Sequence, residues 1–118
     1  ASEAYDLTLE AETLAIDGDI LAQVSWRVVR ARILAERGDA GEAERLAREA
    51  VDLAATTDWL VGQADAAGTL AGTLFAQNRL AEADRASEDA LDLYERKEAT
   101  AMVEAARAAR VNRYRLTS

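Results

Sequence analysis

The feature that most limits what this chain can fold into is its likeness to itself at a shift of 40 residues, which lays Ala31–Leu53 on Ala71–Leu93. Glu42-Ala43-Glu44-Arg45 then meets Glu82-Ala83-Asp84-Arg85, and Ala50-Val51-Asp52-Leu53 meets Ala90-Leu91-Asp92-Leu93. In the first half of the window Ala31 meets Ala71, Leu34 meets Leu74 and Gly38 meets Asn78. A period of about 20–50 residues is the mark of stacked repeats, in which each unit is one small element that hides its apolar face on its neighbour.

The repeated element is helical. The chain has no proline and 28 alanines among its 118 residues, and alanine is the strongest helix former while proline is the strongest breaker. Gly38 and Asn78 are the two residue types that best tolerate the left-handed conformation closing a helix, so each is expected just past one helix and before the next. Asp39 reads as an N-cap with Glu42 as its capping-box partner, whereas Arg79 takes the capping position in the second copy and caps it less well. The pattern also extends outward. Glu3-Ala4 falls on Glu42-Ala43 at a shift of 39, Ala11 and Leu14 fall on Ala50 and Leu53, and Asp19 falls on Asp58.

These spacings predict about six helices, over 2–16, 19–37, 40–56, 58–77, 80–97 and 99–116. Gly18 is expected to end the first, and Asp19 and Asp58 to start the second and fourth. The fold expected is all-α, a solenoid of antiparallel helix hairpins in a single repeat domain over 1–118, built of a half unit 1–18, units 19–57 and 58–97, and a half unit 98–118. A half unit at each end and no starting methionine point to a fragment of a larger protein. Ala31, Ala43, Ala47, Ala50, Ala71, Ala83 and Ala90 are expected at close helix crossings, with Leu34, Leu53, Leu74, Leu91 and Leu93 in the core beside them.

The arrangement of small and large residues resembles the tetratricopeptide repeat. Ala31 and Ala71 match the small residue at its close crossing, Leu34 and Leu74 the large residue three positions on, and Gly38-Asp39 the turn. Ala43 and Ala83 match the small residue early in the second helix, and Ala50 and Ala90 the one near its end. The unit is 40 residues rather than the family's usual length of about 34, and the closing proline is absent. The longer unit, with Glu42–Asp52 and Leu93-Tyr94-Glu95-Arg96-Lys97, resembles the repeat region of large bacterial signalling and regulatory proteins. The resemblance implies a right-handed superhelix and a noncatalytic scaffold that binds a peptide, helix or domain on its concave face. By the family pattern, the groove positions are Ser25, Val28, Arg32 and Ala35 in one unit. They are Asp65, Gly68, Gly72 and Phe75 in the next, and Ala105, Ala108, Asn112 and Arg115 in the last. Arg32 and Asn112 hold positions where some family members clamp a peptide carboxylate, with Gly72 between them.

Composition narrows the function. The formal charge of −8 disfavours direct contact with nucleic acid, which needs basic side chains, and with anionic membranes. With neither cysteine nor histidine, disulfides, thiolate chemistry, the usual zinc sites and histidine acid–base catalysis are all excluded. No Gly-x-x-x-x-Gly-Lys loop is present. An enzyme is not expected, nor a cofactor or metal; the partner expected is a protein or peptide. No apolar run approaches the about 18 residues of a membrane span, and the first residues do not read as a secretory signal, so the compartment expected is the cytoplasm. Thirteen arginines against one lysine fit a high-GC bacterial source.

Three local features have two readings each. Gly68 and Gly72 form either a smooth floor against which a peptide or helix lies, or a site of tight packing within the stack. Arg27, Arg30, Arg32 and Arg37 beside Trp26 form either a phosphate or acidic-peptide site, or a face salt-bridged to the acidic second helices. Residues 1–22 hold six acidic residues and no basic one, while residues 105–118 hold four arginines and no acidic residue. That polarity suits either solvated faces or head-to-tail contact between copies, and a small-ligand pocket or an end-to-end oligomerisation segment are the alternatives to groove binding.

Overall fold

A computed structural model describes the backbone of residues 2–15 and 18–117 and the side chains of residues 3–15 and 18–111. Five helices follow one another: α1 (Ser2–Leu14), α2 (Ile20–Glu36), α3 (Ala40–Ala54), α4 (Leu60–Ala76) and α5 (Leu80–Thr117), with no strand among the described residues. α1 lies on α2, α2 on α3, α4 on both α3 and α2, and α5 on α4. That is the order of a repeat stack, in which each hairpin is formed within a unit and the next unit's first helix closes on both helices before it.

The two interior turns are built alike. Gly38 has φ +87° and Asn78 φ +59°, the left-handed conformation expected of both. In each, the backbone N–H two residues past the helix cap donates back into the last turn, Asp39 to Leu34 O at 2.9 Å and Arg79 to Leu74 O at 3.0 Å. The residue before it donates as well, Gly38 to Ala35 O at 3.2 Å and Asn78 to Phe75 O at 2.9 Å, so the equivalent pair of carbonyls is satisfied in each turn.

Side-chain capping is more varied. Asp19 caps α2 as expected, accepting from Ala22 N at 3.2 Å. Asp39 stands at the N-cap of α3 but makes no side-chain cap bond, and the side chain of its box partner Glu42 is held by Arg45. Asp58 does not start α4; Trp59 holds that position, and its N–H donates to Thr57 Oγ1 at 3.1 Å. Arg79, just before α5, replaces a cap with ion pairs, to Glu82 of α5 and to Glu44 of α3, both at 2.6 Å. Gln77 Nε2 and Arg48 also hold Glu44, and together with Arg79 they keep its carboxyl below the usual carboxylate range.

The core is a seam of methyl groups. Ala31, Ala43, Ala47, Ala50, Ala54, Ala64 and Ala66 have no exposed surface, and Leu46, Leu74 and Val24 fill the spaces beside them. The pairs related by the 40-residue shift share their burial: Ala31 and Ala71, Leu34 and Leu74, Ala43 and Ala83, Ala50 and Ala90 are all buried. α1 is fastened differently, through the buried Arg30 of α2. The Arg30 guanidinium donates to Thr8 Oγ1 and Thr8 O, each at 3.0 Å, pairs with Glu12 at 2.8 Å, and lies over the rings of Tyr5 and Trp26. Arg27 pairs with Glu49 of α3 at 2.9 Å. Arg27 and Arg30 therefore serve the salt-bridged face, with acidic partners on α3 and α1.

The expected sixth helix is not separate. Residues 99–116 are the distal half of α5, which runs straight through position 98. No glycine, asparagine or proline stands between Leu93 and Ala99, so nothing supplies the left-handed residue that closes α2 and α4. The consequence reaches Leu91, expected in the core but 62% exposed: with no further helix folded back on α5, its outer side is uncovered.

Two glycines separate the turn from the helix. Gly38→Ala should lower stability by about 1–2 kcal/mol, because a Cβ disfavours the left-handed conformation. Gly72→Ala lies in a helix with open space around it and should raise stability by about 0.5–1 kcal/mol. Urea denaturation of both variants checks this, and shifts of the same sign would refute the assignment of the turn.

Candidate functional site

The face between α2 and α4 holds a cavity of about 190 Å³ lined by Val24, Ser25, Val28, Val29 and Arg32 of α2, and by Trp59, Gly62 and Asp65 at the start of α4. Its chemistry follows from helical spacing. Ser25, Val28, Val29 and Arg32 recur at three- and four-residue steps and share one side of α2; Gly62 and Asp65 do so on α4. Val24 and Val28 are buried, whereas Val29 is exposed, so the cavity has an apolar floor and an open mouth. Trp59 forms one wall, and Gly62 makes that possible. A Cβ on Gly62 would sit 2.1 Å from Cε3 of the Trp59 ring, closer than any real contact, so the indole lies where only glycine leaves room.

The polar rim is tied together across three helices. Arg32 Nε donates to Thr69 Oγ1 at 3.1 Å, and Thr69 Oγ1 in turn donates to Asp65 O at 2.7 Å. Tyr94 of α5 donates its phenol to Asp65 Oδ1 at 2.5 Å. Arg32 lines the cavity, and among the described residues it makes no ion pair and its Nη1 and Nη2 make no hydrogen bond. A guanidinium held through Nε and open at its other edge is arranged to meet a planar acceptor such as a carboxylate.

Of the groove residues read from the sequence, Ser25, Val28, Arg32 and Asp65 come together at this cavity. Gly68, Gly72 and Phe75 continue the same side of α4, all exposed, Phe75 to 69%. Gly68 meets only Ala90 at van der Waals distance and Gly72 meets nothing, so Gly72 is not a close helix crossing but open surface. Ala35 is half-buried against the core. Ala105 and Ala108 are exposed on the distal half of α5, and the side chains of Asn112 and Arg115 lie outside the described residues. Sequence spacing missed Trp59, Gly62, Thr69 and Tyr94. An aromatic beside a helix start, with glycine three residues on, was the available sign of the first two; nothing local ties Tyr94 to Asp65.

No group of three or more His, Cys, Asp or Glu side chains that would hold a metal occurs among the described residues. No described helix is long and apolar enough to cross a membrane.

The profile of the tetratricopeptide repeat family matches residues 63–98, which span α4 and the adjoining half of α5. Residues 63–98 are a tetratricopeptide-repeat-like region. No curated protein and no solved structure matches the chain significantly. Repeats of this family are generally noncatalytic modules that bind proteins or peptides.

The Tyr94–Asp65 bond has a measurable signature. The Asp65 carboxylate, first as a hydrogen-bond acceptor of the neutral phenol, and then burial, raise the Tyr94 pKa above the ordinary phenol value. A folded-state pKa raised in this way contributes stability below the unfolded phenol pKa and loses it as the pH climbs through the folded one. Titration followed by phenolate absorbance should show one late-ionising tyrosine in the wild type, moved back toward ordinary values in Asp65→Asn. Superimposable titrations of the two proteins would remove the bond.

Proposed function

We propose that this chain is a noncatalytic scaffold segment that binds a peptide, helix or domain of a partner protein along the α2–α4 face, within a cytoplasmic bacterial signalling or regulatory protein. The observation that carries this reading is an apolar cavity lined also by Arg32, whose terminal nitrogens have no partner among the described residues. The partner suited to it places one large apolar side chain between Val28, Val29 and Trp59 and a carboxylate on Arg32. The exposed Gly68 and Gly72 leave a side-chain-free strip on which the partner's backbone can lie close, with Phe75 at its far end.

Size argues against the sensor-pocket reading. Small-molecule sites measure about 300–1,000 Å³, and the 190 Å³ here has room for a single side chain rather than a metabolite. A two-point contact of this kind, with one hydrogen-bonded charge and one buried side chain, belongs to the weak and selective range of peptide recognition.

A displayed library of 12-residue peptides selected on the 118-residue chain tests the reading. The sequences recovered should carry an acidic residue close to a large apolar one. Arg32→Ala should weaken them about tenfold or more, the equivalent of one charge-assisted hydrogen-bonded pair. Ser25→Trp, which fills the mouth of the cavity from an exposed position, should abolish binding while the helical circular dichroism is kept. Peptides that bind both variants as well as the wild type would place the partner elsewhere.

A further inference from the structure

The outer side of α1 and the outer side of the distal half of α5 are both uncovered, and they are complementary. On α1, Tyr5, Thr8, Glu12 and Ala15 turn toward α2, which leaves Glu3, Leu7, Glu10 and Leu14 along the opposite side at helical spacing. Leu7 is 60% and Leu14 78% exposed. On α5, the buried residues Ala83, Ala86, Ala90 and Leu93 face α4. Ala99, Met102, Val103, Ala106 and Arg110 recur at i, i+3, i+4, i+7 and i+11 on the other side, with Arg107 at the margin, and Met102 is 72% exposed.

We propose that the distal half of α5 packs on the outer side of α1 of a second copy of this chain, so that the two form a helix pair that neither copy has alone. Three observations select a second copy. The charges are opposite and segregated, with no basic residue in 1–22 and no acidic residue in 105–118, in a chain whose overall charge of −8 otherwise drives copies apart. The distal half is long enough to cover α1, because the 20 residues from 98 to 117 make a helix of about 30 Å and the 13 of α1 one of about 20 Å. Finally, α1 and α5 lie at opposite ends of the stack and do not touch within one chain, so the contact joins molecules. Joined head to tail, the acidic end of each copy meets the basic end of the next, a heterologous contact that adds copies rather than closing on itself at a two-fold axis. This interface leaves the α2–α4 groove open and does not depend on what the groove binds.

Analytical ultracentrifugation of the 118-residue chain tests the contact. At about 20 mM salt the weight-average mass should rise above the 12.7 kDa of the monomer as concentration approaches millimolar. It should fall back toward the monomer at about 500 mM salt, where screening acts within a few ångströms. Met102→Asp should give a monomer in both. The decisive pair is Glu3→Arg/Glu10→Arg and Arg107→Glu/Arg110→Glu. Each alone sets like charges against each other at the substituted positions of the two facing stripes and should stay monomeric, and an equimolar mixture should associate again. All five positions are exposed, and unchanged helical circular dichroism keeps loss of association distinct from loss of fold. A monomer at every salt and concentration overturns the proposal, as does association that Met102→Asp and both charge variants leave intact, or a mixture that stays monomeric.

Discussion

Close approach of helix backbones at alanine is the constraint on which the rest of this structure depends. Seven alanines of α2, α3 and α4 are sealed from water completely, and large side chains are few among them. A methyl group buries little area, and apolar burial is worth only about 25 cal/mol per Å². The stack therefore gains cohesion from the many backbone and Cβ contacts that short distances permit, each weak and all summed. A seam of this kind tolerates little change of volume. A longer side chain at Ala43 or Ala66 would push whole helices apart, because a helix cannot give locally as a loop can. The same closeness fixes the groove. α2 and α4 are held at the spacing that their alanines set, and the cavity between them is what remains where Val28 and Val29 meet Trp59 rather than another alanine.

The polar groups divide by what they do to that stack. Arg30 and Glu44 are each held by several partners and join α1 to α2 and α3 to the turn between α4 and α5. Arg32 has one hydrogen-bond partner, held through Nε, which leaves Nη1 and Nη2 for an end-on bidentate grip. The distinction is physical: a guanidinium already satisfied on all sides has little left to offer a ligand, and one anchored at a single point keeps its orientation while retaining its donors. Arg32 thus stands apart from the other arginines of its own helix, Arg27 and Arg30, although in the sequence the three look alike.

What was legible in the sequence was whatever a residue does for its own turn of helix. Gly38 and Asn78 announced the two left-handed closures because that conformation depends on the residue itself. Ala31, Leu34, Ala43 and Ala50 showed the seam because burial on a helix recurs at short spacing. The break at 98 was expected from the repeat frame alone, against the local evidence that Arg96-Lys97-Glu98-Ala99 contains no turn former; the local chemistry prevailed. The rim of the site was hidden for the opposite reason. Arg32 meets Thr69 across 37 residues and Tyr94 meets Asp65 across 29, and those encounters are decided by how far α4 slides along α2 and α5 along α4. No periodicity within one helix encodes that offset.

The absence of a fold-back at 98 ties these threads together. α3 is covered on both sides, by α2 and by α4, and Glu44 ties it to Arg79 in the turn between α4 and α5. α5 is covered only by α4, and only along its proximal half; from Tyr94 to Val111 every residue is exposed. A stretch of this length is near the lower limit at which a helix stands alone in water, and alanine propensity with Arg96–Asp92-type pairs adds only tenths of a kcal/mol per contact. An extended helix with an apolar stripe has no thermodynamic reason to remain bare, because burial of that stripe is the main source of stability open to it. The repeat frame identifies the shape that would provide it, a partner helix lying antiparallel along one side, as α4 lies along the proximal half. What the helix lacks is therefore of the same physical kind as what α1 lacks at the other end, and the acidic and basic residues that border the two stripes are placed so that one deficiency answers the other.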